Sequence, residues 1–202
     1  MSKPIIFTGP SIPAILAGTK TMTRRVIPLD KQAAALARPE HSPYGQVGDP
    51  LRVKTAHYRA FKGTPNDQIY DEWTKTIRWK DGRTITNCVP VLNLLADSSR
   101  RWTKVSPYFM PNWAIIIKPE ITSLGVERLQ DISGKDKDVR REGIRGDSYL
   151  EELGCTKDEP MSARIYFSDR WDSINAKRGY SWDSNPWVWV IGFEMIKEPE
   201  QC

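Results

Sequence analysis

Chemistry-bearing side chains crowd most closely in Gly18-Thr19-Lys20-Thr21-Met22-Thr23-Arg24-Arg25. A lysine beside a threonine can take the hydroxyl proton once burial or nearby cations bring its amine towards a neutral pKa. Lys20 and Thr23 supply that pair, and Arg24 and Arg25 supply either the cationic field or a grip on phosphate. Residues three apart on a regular strand face opposite ways, so Lys20 meets Thr23 only from a turn after Gly18 or across a bulge. With Lys20 in the turn, Thr23 and Arg25 share a strand face. Taken on spacing alone, a solvated basic strand end accounts for the run more simply. Glu142, followed by Gly143, is the carboxylate that could orient Lys20, balance its charge or accept its proton. As bare sequence it also reads as an ordinary exposed helix residue.

Other groups fit a ligand pocket. Pro43-Tyr44-Gly45-Gln46-Val47-Gly48-Asp49 is a tight, glycine-bearing loop, but it lacks the Gly-Lys-Ser/Thr ending of a phosphate loop. Leu51-Arg52-Val53-Lys54 alternates, which puts Arg52 and Lys54 on one face of a strand and the two apolar residues on the other. Lys20, Arg24, Arg25, Arg52 and Lys54 could hold a phosphate backbone while Tyr44 or Trp113 stacks on a base. Trp187 and Trp189 share one strand face, which argues for packing at that position. Core packing is the simpler role for any single tryptophan.

The elements that must position these residues follow from pattern. Pro4–Thr8 reads as a first strand, and Pro10-Ser11 as the entry to a helix with Ile12, Ile15 and Leu16 turned inward. Gly18 sits where a helix C-cap belongs, and Thr21–Ile27 forms the next strand. Residues 28–48 connect along the surface, with one helical turn near Ala33–Leu36. A hairpin is expected around Asp81-Gly82. Strands are expected at Trp113–Lys118, Glu120–Leu129 and Pro186–Phe193. A short helix runs to Arg141 with Ser133 as N-cap, and a longer one spans Ser162–Ala176 with Ile165, Tyr166, Trp171 and Ile174 inward. Helices and strands mix without βαβ regularity, which makes the class α+β with a small curved sheet or barrel. The whole chain, 1–202, reads as one domain, with residues 56–110 as an insertion or elaborated edge.

Composition sets the outer limits. A net charge of +5 favours a phosphate-bearing partner only mildly. Three widely spaced cysteines write no disulfide framework, and with two histidines they write no metal cluster. The residues call for no metal and no cofactor. No apolar run approaches the roughly 20 residues of a membrane span, and no apolar signal core opens the chain, so a cytoplasmic protein is expected.

Ile15-Leu16-Ala17-Gly18-Thr19-Lys20-Thr21-Met22-Thr23-Arg24-Arg25 resembles the opening motif of ASCH domains, a Gly-x-Lys pattern with an Arg five positions after the Lys. Gly48-Asp49 before Leu51-Arg52-Val53 looks like that family's strand entry. Ile121–Leu129, Asp131-Ile132-Ser133 and Arg141-Glu142-Gly143 look like its central strand and acidic helix. Trp171-Asp172-Ser173-Ile174-Asn175, Arg178-Gly179-Tyr180 and Asn185–Val190 look like the longer ASCH proteins of bacteriophages and prophages. The resemblance covers residues 3 to about 197 except 56–110. This chain departs at Arg52, where many long relatives carry an aromatic, and at Thr55, where they carry a Glu.

The resemblance implies a PUA-like small β-barrel of mixed strands with flanking helices and an inserted segment. It also implies an RNA or nucleoside ligand, and host cytoplasm with a host protein partner if the chain is phage-encoded. Small bacterial members include 4-acetylcytidine amidohydrolases, whose Lys, Thr and Glu fall on Lys20, Thr23 and Glu142. On that basis the expected function is amide hydrolysis of an acylated cytidine. A non-catalytic RNA-binding module and a ribonuclease using the same pocket are the alternatives.

Overall fold

The computed structural model describes residues 2–7, 9, 11–61, 68–71, 76–79, 84–85, 101–132, 136–143 and 160–195. They divide into two compact units: residues 14–50 with 119–202, and residues 2–13 with 51–118. The boundary falls inside helix α1 (Ser11–Leu16). Helices and strands mix in an α+β arrangement.

The first unit is organised by its last strand. Three strands form an antiparallel sheet: β2 (Met22–Val26), β9 (Glu120–Arg128) and β10 (Trp187–Glu194), with β10 in the centre. The run Trp187-Val188-Trp189-Val190-Ile191 has the branched and aromatic side chains that suit a pleated surface packed on both sides. Val188, Ile191 and Phe193 are accordingly buried. Register is set by pairs such as Val190 with Arg24 and Gly125, and Ile191 with Thr23 and Leu124. It shifts between Gly192 and Phe193, where a Cβ on Gly192 would collide with Ser123.

Helix α2 (Gln32–Ala37) follows a 3-10 turn at Leu29–Lys31. Two further helices, α3 (Asp136–Arg141) and α4 (Pro160–Asn175), complete the unit. One core cluster joins Leu129, Ile132, Val139, Phe167, Trp171 and Val188, with Val26, Tyr166, Trp182 and Val190 packed against it. The face of the sheet that carries Val26, Val188 and Val190 is thus covered by α3 and α4. Trp171 donates its indole N–H to Tyr180 O at 2.8 Å, and Asp172 accepts from Trp182 N at 2.6 Å, which fixes the loop leading into β10.

The second unit holds a parallel pair, β1 (Ile5–Ile6) with β3 (Val53–Lys54). It also holds a five-stranded antiparallel sheet of β4 (His57–Phe61), β5 (Gln68–Asp71), β6 (Thr76–Trp79), β7 (Thr84–Ile85) and β8 (Arg101–Val105). Their order is β7-β6-β5-β4-β8, with the pairing of β6 and β7 where a hairpin was expected. No sheet among the described residues closes into a barrel.

Three expectations are corrected. Trp113–Lys118 is not a strand: a 3-10 turn spans Asn112–Ala114, and the rest runs without a ladder between Pro111 and Pro119. Ile115 and Ile117 are buried and Ile116 is half-buried, and burial does not require pairing. On α4, Ile165 and Ile174 are exposed while Phe167 and Trp171 are buried, so the core stripe is rotated from the expected one. Leu16, at the end of α1, is likewise exposed, whereas Ile12 and Ile15 are fully buried. The expected cap Ser133 lies outside the described residues.

Candidate functional site

Two turns bring the site together. After α1, Gly18 adopts φ +69° and the Ala14 carbonyl accepts from Thr19 N and Lys20 N, both at 2.9 Å, so Lys20 leaves the turn in a fixed direction. After α3, Gly143 adopts φ +79° and donates to Arg140 O at 2.8 Å, which closes the helix. Thr21 N then donates to Arg141 O at 2.9 Å, and Lys20 and Glu142 face each other in an isolated antiparallel bridge. A Cβ at Gly143 would lie 2.9 Å from Lys20 Cβ and 3.1 Å from its Cγ and Cδ. Glycine at 143 thus answers both the left-handed backbone and the close passage of the lysine stem.

Lys20 Nζ donates to Glu142 Oε2 at 3.1 Å and also to the Glu142 carbonyl. Arg24 Nη1 donates to the other carboxylate oxygen, Oε1, at 2.9 Å. The remaining edge of the Arg24 guanidinium meets Glu127 Oε1 at 2.7 Å through both Nε and Nη2. The Lys20, Arg24 and Glu142 side chains are 3–6% exposed and that of Glu127 is 29% exposed, so Glu127 is the end of the chain of charges nearest water. Sheet register explains the last contact. Arg24 and Gly125 both lie opposite Val190, and Glu127 is two residues beyond Gly125 on the same face.

Burial pulls the Lys20 amine below its usual pKa. Glu142 opposes this by charge and hydrogen bond, while Arg25 and Arg170 reinforce it. Arg25 is lowered by burial, with Tyr44 and Glu142 opposing and Arg178 reinforcing. Tyr44 is raised by burial against the pull of Arg25 and Arg178. Arg25 and Arg170 of α4 therefore lie within electrostatic reach of Lys20, while Arg178, in the turn after α4, lies within reach of Arg25 and Tyr44.

The expected site residues separate accordingly. Lys20, Glu142 and Arg24 come together in one hydrogen-bonded set. Thr23 is buried opposite Ile191 and stands outside that set; alternation along β2 turns Thr23 and Arg25 to the face opposite Arg24. Arg52, Lys54 and Trp113 belong to the second unit. There Arg52 donates to Ser2 O at 3.1 Å, Lys54 is half-buried in β3, and Trp113 packs against Met110, Ala114 and Ile115.

Glu127, Arg170 and Arg178 were not singled out from sequence. An arginine between apolar strand residues demands a buried counter-charge, and that signal could have pointed to Glu127. No group of three or more His, Cys, Asp and Glu among the described residues could hold a metal. No described helix is long and apolar enough to cross a membrane.

The chain matches no protein-family model, and comparison with curated proteins and with solved structures returns no match either.

Proposed function

We propose that this chain is an ASCH-type protein, PUA-like in fold, that hydrolyses the exocyclic amide of an acylated cytidine, with Lys20 as the base and Glu142 as its partner. The observation that carries the reading is the buried Lys20–Glu142 pair at the bridge between the two turns. A general base needs an accessible neutral form near working pH, and a desolvated amine flanked by Arg25 and Arg170 moves in that direction. In the reaction Lys20 takes the proton of the attacking hydroxyl as its oxygen bonds to the acyl carbon. The resulting oxyanion develops in the field of the neighbouring arginines. Collapse breaks the C–N bond, and the Lys20 ammonium returns the proton to the departing cytidine nitrogen. A water nucleophile yields acetate directly; a Thr23 nucleophile leaves an acetyl ester on Thr23, which a water deprotonated by Lys20 then hydrolyses to acetate and free Thr23.

The test is direct. Purified protein incubated with 4-acetylcytidine should release cytidine and acetate, read by liquid chromatography, and Lys20→Ala should abolish release. Thr23→Val then assigns the attacking hydroxyl: loss of turnover gives it to Thr23, retention gives it to water. Absence of turnover across a small panel of acylated nucleosides would refute the enzymatic reading.

A second reading, RNA binding without catalysis, is favoured by Arg25 and Arg170 near Lys20 and by Arg178 near Arg25 and Tyr44. Affinity for a short RNA should then fall steeply with salt, and Arg25→Ala or Arg178→Ala should flatten that dependence. Cleavage of that RNA, lost in Lys20→Ala, would instead mark a ribonuclease.

A further inference from the structure

We propose that Arg24 and Glu127 form a positioning pair that splits the Glu142 carboxylate, leaving one oxygen for Lys20 and limiting how tightly that oxygen holds the lysine's proton. The inference deepens the reading of Lys20 as a base and rests on it. Sequence alone assigns Arg24 to ligand binding, but its guanidinium is spent inside the protein. Nη1 lies 2.9 Å from Glu142 Oε1 and 3.5 Å from Met22 Sδ, while Nε and Nη2 meet Glu127 Oε1 at 2.7 Å. Phe167 lies on the same side, its ring centroid 6.0 Å from Arg24 Cζ. The side chain is therefore walled in by β9, α4 and the end of α3, and it acts on chemistry only through Glu142.

The electrostatic consequence has a definite sign. A carboxylate that meets only Lys20 stabilises the ammonium and holds its proton. A second cation on the opposite oxygen cancels part of that negative charge and releases the proton more readily. Glu127 works one step further back: it neutralises part of Arg24 and so restores some of Glu142's hold. Among the described residues the charged groups around Lys20 are Glu142 beyond α3, Arg24 and Arg25 on β2, Arg170 on α4, and Glu127 on β9 through Arg24. Of these, Glu127 has no hydrogen bond to Lys20 or Glu142, so its influence travels by way of Arg24.

The experiment reads the Lys20 amine itself, without substrate. Protein labelled with 13C at lysine Cε is titrated by NMR, and the Lys20 signal is assigned by its loss in Lys20→Met. Arg24→Gln should raise the Lys20 midpoint by about one pH unit, the scale on which a close charge moves an ionisable group. Glu127→Gln should lower it, and that lowering should disappear in the Arg24→Gln background, because the two changes share one route. If Arg24→Gln does not fold, the Glu127→Gln midpoint decides: a fall supports the pair, and an unchanged or raised value overturns it. A folded Arg24→Gln protein whose Lys20 midpoint stays or falls also overturns it. The midpoints are independent of turnover. A protein that shows both shifts but hydrolyses no acylated nucleoside therefore loses the proposed reaction and keeps the pair.

Discussion

Glu142→Gln removes one negative charge from between two buried cations and leaves the side-chain volume nearly unchanged. At 3.1 Å from Lys20 and 2.9 Å from Arg24, the carboxylate attracts each by about 5 kcal/mol at an effective dielectric of ~20. Much of that offsets the several kcal/mol that each ion loses on leaving water. Deleting the anion strands both cations, and breaking a buried pair in this way typically costs about 3–5 kcal/mol. The loss should depend on pH. Arg24 still has Glu127, whereas Lys20 can become neutral, the more readily because Glu142's opposition to its lowered pKa is gone. Unfolding in urea, followed by tryptophan fluorescence, should give the larger loss near pH 6 and a smaller one near pH 9. The midpoint should move while the slope stays constant. A loss below about 1 kcal/mol at both pH values would refute the reasoning, since stranded charges of this burial cannot be that cheap. So would an equal loss in the Lys20→Met background, which would detach the effect from the lysine.

Gly143→Ala forces a side chain into a left-handed position against the Lys20 stem, and should lower stability by about 1–2 kcal/mol from the backbone alone. Thermal melting would expose a neutral outcome. Asp172→Ala removes the acceptor of Trp182 N and should cost about 1.5–3 kcal/mol, with a red shift of tryptophan emission as the 180–187 loop loosens. The two perturbed titrations carry opposite pH signs. Lys20 binds fewer protons folded than unfolded between its lowered value and the ordinary ~10.4, so stability rises with pH across that window; Lys20→Met should flatten the rise. Tyr44 keeps its proton longer folded than unfolded, so stability falls as pH climbs above ~10, and Tyr44→Phe should remove that fall in urea melts.

Pattern carried the strands of the first unit well because their signals are local. Trp187–Phe193 and Glu120–Leu129 are apolar and β-branched, and they match β10 and β9 closely. Gly18 and Gly143 were legible as helix ends for the same reason, since left-handed backbone favours glycine wherever it occurs. The helix face of α4 was not. Tyr166, Phe167, Trp171 and Ile174 allow more than one apolar stripe, and only packing against Val188 and Leu129 selects the one through Phe167 and Trp171. Within the site, spacing put Lys20 in the turn after Gly18, whereas it stands just past that turn in a bridge to Glu142, and spacing could not say which way the long side chain would reach. That choice is made by Glu142, which arrives from a distant part of the chain and draws Lys20 to the side of Arg24. Glu127 stayed invisible because its partner is fixed by register across a third strand.

The central position of β10 ties the site to the order in which the chain is made. Lys20 emerges early, Glu142 follows 122 residues later, and the strand that lies between β2 and β9 comes later still. On a ribosome, β2 and most of β9 lack their sheet partner until residues 187–194 have cleared the exit tunnel. The sheet beside the Lys20–Glu142 bridge is completed only then. Until that strand arrives, β2 beside Lys20 lacks its neighbour in the sheet. The burial of Lys20 in the finished unit is thus tied to a late step, the closing of the sheet around its last strand.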